Sequence, residues 1–144
     1  MTDTRSEATG STRWSFSSGW IPEQSTGHEP EFTSRVELRL LNTAAEDSCV
    51  RATIYHEDRE PVGPYEILVS GRRVRHLRVN DLIDPEAVPL GRPFGVVLDS
   101  DVPVVAELVY IDTRRDHLAV TSLPGSAGHP GGSGGSGGPG GPAD

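Results

Sequence analysis

Within seven positions the chain places Arg72, Arg73, Arg75, His76 and Arg78, and Asn80 and Asp81 follow directly. A guanidinium is a planar fork of donors that meets a carboxylate or phosphate through two bonds, and it stays charged at any physiological pH. With an imidazole alongside and an amide and a carboxylate at the end, this run has the groups to hold an anion or a polyhydroxylated ligand. On a strand, successive side chains alternate between faces. Arg73 and Arg75 then share one face with Leu77 and Val79, and Arg72, His76 and Arg78 share the other with Val74. The candidate binding set is Tyr65, Arg72, His76, Arg78, Asn80 and Asp81, around one polar cavity or subunit-facing groove. Tyr65 enters because a short turn at Ser70-Gly71 is expected to fold its strand against the arginine strand as a hairpin. Asp81 is placed to orient a guanidinium. The competing structural reading pairs the arginines with Glu37, Glu57, Glu66 or Glu107, across the sheet or across a subunit interface.

Other reactive side chains form no comparable constellation. Trp14, Trp20 and Tyr65 have the ring area to stack on a sugar, or to pack in a core or an oligomer interface. His28-Glu29 and His56-Glu57-Asp58 lack the spacing of a zinc site and read as solvated turn residues. Cys49 has only Arg51 as a basic neighbour and reads as an inert thiol. Gly131-Gly132-Ser133-Gly134-Gly135 fits a nucleophile-elbow pattern, but inside a low-complexity tail with no strand before it or helix after it. The stretch from Asp112 to His117 reads as a charged hairpin turn. The chain has no lysine, which excludes Schiff-base chemistry. No enzyme, metal or cofactor is expected.

The formal net charge is −8, so binding to nucleic acid is not expected, because neutralising phosphates needs positive charge. A single cysteine allows no intramolecular disulfide. No basic segment followed by an apolar run opens the chain, and no stretch has the length of a membrane span. The expected location is the cytoplasm, and any membrane system would be served by docking rather than insertion.

These side chains need a scaffold, and the pattern around them is that of strands. Val36, Leu38 and Leu40 alternate with Arg35, Glu37 and Arg39, and Val50, Ala52 and Ile54 alternate with Arg51, Thr53 and Tyr55. Further runs lie at 14–20, 65–69, 74–79, 94–98 and 118–123. The run 104–111 is apolar on both faces except at Glu107, as in a strand covered on both sides. Gly, Pro and Asp-rich breakers separate the runs, including a stiff Glu60-Pro61-Val62-Gly63-Pro64-Tyr65 segment. At most one helical turn is expected, within 81–88 and limited by Pro85. The expected fold is a single all-β domain, an antiparallel β-sandwich over residues 13–123. Residues 1–12 are expected to be a disordered leader and 124–144 a flexible Gly/Pro-rich tail.

Laid out in this way, the chain resembles the sensory rhodopsin transducer family. The matching residues are Trp14, Gly19-Trp20-Ile21-Pro22, Gly27, Glu29-Pro30, Phe32, Leu41-Asn42 and Thr53-Ile54-Tyr55. The densest match is Glu60-Pro61-Val62-Gly63-Pro64-Tyr65, then Arg72-Arg73, His76, Arg78, Asn80-Asp81-Leu82, Asp84-Pro85 and Pro89. Val102-Pro103 and Asp112-Thr113-Arg114 complete it. The resemblance implies a jelly-roll-like sandwich that assembles as a homotetramer, docks on the cytoplasmic face of a seven-helix rhodopsin and relays its signal. It also implies likeness to modules that bind carbohydrates or other small polar ligands. A signalling adaptor and a small-ligand-binding module are therefore the two functional expectations.

Overall fold

The computed structural model describes residues 8–23, 35–112 and 119–128. Eight strands run through them: β1 (Ser11–Trp20), β2 (Arg35–Asn42), β3 (Ser48–His56), β4 (Val62–Val69), β5 (Arg73–Arg78), β6 (Pro93–Asp112), β7 (Ala119–Leu123) and β8 (Gly125–Gly128). Every strand pairing is antiparallel. The fold is an all-β sandwich. Among the described residues the helical structure is a single 3-10 turn, Val79–Asp81. That turn sits two residues earlier than the expected one, because Leu82 is already extended and leads out toward Pro85.

Period-two alternation builds the core. β2 buries Val36, Leu38, Leu40 and Asn42, β3 buries Val50, Ala52 and Ile54, and β4 buries Tyr65, Ile67 and Val69. One sheet has the order β4-β3-β6-β1-β8, and β5-β2-β6-β7 make the other. Both contribute to one cluster that includes Phe16, Ile21, Leu38, Ile54, Tyr65, Leu98 and Leu108.

The sequence predicts two strands at 94–98 and 104–111; the structure joins them in the 20-residue β6. β6 pairs with β3 up to Ser100 and with β2 from Val105, so it passes from one sheet to the other. Its register with β1 also slips between Val104 and Asp99. Pro103 has no N–H to donate, and this costs little where the ladder is already broken. Val109 and Ile111 are buried along with Leu108, as expected of a strand covered on both sides.

The expected hairpin of the runs 65–69 and 74–79 does not form. β4 pairs with β3 in one sheet and β5 with β2 in the other. The reason lies in the turn, which is tied to the 42–47 segment instead of closing on itself. Arg72 donates its N–H to the Ala44 carbonyl (2.9 Å), and Gly71 donates its own to Asp47 Oδ1 (2.9 Å). The fully buried Asn42 amide donates to the Glu46 and Val69 carbonyls (2.8 and 3.1 Å). Gly71 fits because a Cβ there would stand 2.0 Å from the Ala45 carbonyl oxygen. Arg72 takes a left-handed conformation, φ 56°, which costs a residue with a Cβ about 1 kcal/mol.

The sandwich also runs past Leu123. β8 pairs with β1 from Phe16↔Gly125 to Arg13↔Gly128, within the stretch expected to be a flexible tail. Small residues do not prevent this, because the edge of β1 needs only backbone partners, and a Cβ at Gly125 would stand 2.3 Å from the Phe16 ring. At the other end the Thr9 N–H already donates to Thr43 Oγ1 (2.9 Å). Residues 1–7 and 129–144, with His28, Glu29, Phe32 and the 113–117 turn, lie outside the described residues.

Candidate functional site

β4 and β5 are edge strands of different sheets on the same side of the sandwich. Between them opens a cleft of about 480 Å³. β4 lines it with Tyr65, Glu66 and Ile67, β5 with Arg75, His76 and Leu77, and the end of the 3-10 turn and the segment after it with Asp81, Leu82, Ile83 and Asp84. Arg75 Nη1 crosses from β5 to donate to the Leu68 carbonyl (2.7 Å).

Three of the expected site residues, Tyr65, His76 and Asp81, line this cleft, and three do not. Tyr65 is a core residue, 2 % exposed, whose hydroxyl donates to the Glu86 carbonyl (2.6 Å). Burial and then the Glu86 carboxylate push its pKa up. The ring forms part of the floor and its donor is committed. His76 is exposed and stands opposite Arg39 in register. Asp81 grips Arg78 through two bonds, Nη2–Oδ1 at 3.1 Å and Nε–Oδ2 at 3.3 Å, so it does hold a guanidinium. Asn80 Oδ1 is buried with no hydrogen-bond partner among the described residues. Arg72 belongs to the turn before β5, so it does not share a strand face with His76 and Arg78.

The arginines divide into two groups. Arg13 meets Asp99, Arg51 meets Asp101, Arg59 meets Glu86, Arg78 meets Asp81 and Arg92 meets Asp58. Arg35 and Arg39 both close on Glu37 at 2.8 Å. Burial pushes the Glu37 carboxyl up, but these two arginines outweigh it and hold the pKa below the ordinary value. Arg72, Arg73 and Arg75 have no carboxylate within ion-pairing distance among the described residues. Of the four glutamates expected as partners, Glu37 is taken by Arg35 and Arg39, and Glu107 accepts from Ser122 Oγ (2.8 Å).

A second region was not legible as a site. His56, expected in a solvated turn, ends β3 on the inward side, following Val50, Ala52 and Ile54. Its Nε2 is buried and has no partner among the described residues. Burial, then Arg59, lowers its pKa, against weaker opposition from Glu86 and Asp58. It adjoins a cavity of about 190 Å³ with Arg59 and Arg92, and an apolar groove of about 370 Å³ along Tyr55, Pro93 and Gly95. Continuing the alternation one step further would have turned His56 inward.

Trp14 donates Nε1–H to the Val104 carbonyl (2.9 Å) and stacks on Phe16, so it packs rather than waits for a ligand. Among the described residues no three His, Cys, Asp or Glu side chains gather to hold a metal ion, and no helix is long and apolar enough to cross a membrane.

The family model described as Anabaena sensory rhodopsin transducer matches residues 9–125. The solved Anabaena sensory rhodopsin transducer is 41% identical, with a TM-score of 0.63 over 69% of this chain and 93% of that one. The solved Thermotoga maritima 1070 protein is 29% identical, with a TM-score of 0.72 over 84% of this chain and 97% of that one. No curated protein matches in sequence.

Proposed function

The chain belongs to the Anabaena sensory rhodopsin transducer family, and from that premise we propose that it is a non-enzymatic signalling protein that docks on the cytoplasmic face of a seven-helix retinal protein. The observation that carries this reading is a family match extending from 9 to 125, over nearly the whole sandwich, with a solved transducer as a structural neighbour. The protein works in the cytoplasm as a homotetramer, in which assembly adds buried surface to that of the single sandwich. The docking end is the β4–β5 side, where cationic groups and a polar cleft meet. Co-purification with a retinal protein of the same organism tests it. Recovery in the dark or the light supports the reading, and recovery no better than from empty membranes rejects it.

The cleft favours a second reading. Its volume of about 480 Å³ and its lining of Arg75, His76, Asp81 and Asp84 suit a small polar ligand such as a sugar or an organic anion. A ligand bound only by the folded state raises the melting temperature. A screen of monosaccharides and carboxylates by thermal shift, repeated on His76→Ala, tests that reading. Stabilisation that the variant loses supports it.

A further inference from the structure

We propose that the free edge of β5 takes an extended acidic peptide segment as an added strand, with its carboxylates set against Arg73 and Arg75. The inference rests on reading the β4–β5 side as the docking end and names the chemistry of what docks there. It is tested with synthetic peptides, so failure to find a retinal partner and failure of this surface are separate results.

β5 pairs only with β2 among the described residues, which leaves the backbone donors and acceptors of its other edge without strand partners. Residues 73–76 are all exposed. An unpaired edge is a template for another strand. The charge is just as pointed. In a chain of net charge −8, each other described arginine has a carboxylate, and Arg72, Arg73 and Arg75 have none. Arg75 spends one N–H on the Leu68 carbonyl and Arg73 one on the Arg72 carbonyl, and each guanidinium keeps further donors. The turn uses only the backbone N–H of Arg72, although that position strains any residue with a Cβ. Neither the turn nor the ladder accounts for the three side chains.

Charged edges often serve to prevent aggregation. That explanation and the present one share their physics: two basic edges repel each other, and a strand of opposite charge is admitted. Alternate residues on a strand lie about 6.6–6.8 Å apart. An acidic-apolar-acidic segment therefore sets carboxylates across from Arg73 and Arg75 and its middle side chain beside Val74, which is 60% exposed. A nucleic acid would use the charge but not the row of backbone groups, and the acidic remainder of the protein disfavours it.

The test uses the full chain and a fluorescein-labelled peptide in which glutamate and valine alternate, followed by fluorescence anisotropy. Saturable binding is expected. It should weaken about tenfold in the Arg73→Ser/Arg75→Ser double variant, and by at least as much when the peptide amides facing the edge are N-methylated. Arg92→Ser should change nothing, and a lysine-valine peptide should not bind. Equal binding of the N-methylated peptide would overturn strand addition. So would absence of peptide binding, or tighter binding of a single-stranded oligonucleotide. The N-methylated peptide is tested on the unaltered protein, so the result does not depend on the double variant folding.

Discussion

Arg75 on β5 donates to the Leu68 carbonyl on β4 at 2.7 Å, so one side chain ties together the edge strands of two different sheets. The two strands share no ladder. The mouth of the cleft is therefore held by a side chain and by the anchored turn at Gly71 and Arg72. Replacing Arg75 with Met keeps the apolar stem and removes the bond. The expected loss is about 1 kcal/mol of stability, read from urea unfolding, because the freed carbonyl is near solvent. A loss several times larger would mean that Arg75 supports much more than the mouth.

Tyr65 connects the core to the 84–92 segment through its bond to the Glu86 carbonyl. Tyr65→Phe should cost roughly 1 kcal/mol. Arg59→Ala, which breaks the neighbouring exposed pair with the Glu86 side chain, should be close to neutral in the same urea titration. Equal effects would contradict this account of what holds the segment.

His56 makes stability depend on pH in a stated direction. Folding leaves its pKa below the ordinary value of about 6.5. Above that value His56 is neutral in both states and its contribution is whole. As pH falls below it, the unfolded chain binds a proton that the folded chain refuses, and stability drops until the folded pKa has been passed. His56→Gln should flatten this part of the curve when urea midpoints are compared from pH 7.5 to 5. Parallel curves for the two proteins would show that His56 does not titrate in this way.

β8 makes residues 124–128 part of the folded unit. A chain ending at Leu123 should be less stable than one ending at Gly128 by roughly 2 kcal/mol, since it loses a run of ladder bonds and uncovers Phe16. Superimposable melting curves would show that β8 adds nothing.

Strand positions were legible because burial on one face writes a period of two into the sequence, as in Val36, Leu38 and Leu40. Partners were less so, since pairing is a tertiary choice. Ser70-Gly71 looks like a hairpin turn until Asn42, Ala44 and Asp47 claim its backbone. Pro103 looks like a breaker until the strand is seen to change sheets there. In the same way, the arginine run was visible as charge, but which guanidiniums remain unpaired depends on Glu37 being held by Arg35 and Arg39. Asn42 gave no signal in the alternation pattern, because a buried amide that ties a turn reads there as any polar residue at a strand end.

Docking on a retinal protein is tested by titrating the full chain against a seven-helix retinal protein of the same organism, held in lipid nanodiscs and measured in the dark and under illumination. Saturable binding is expected, changed by light and weakened about tenfold or more in His76→Ala/Arg78→Ala, while melting temperature and assembly by light scattering remain as in the unaltered protein. Binding no greater than to empty nanodiscs, or weakened only in step with lost stability, would contradict it.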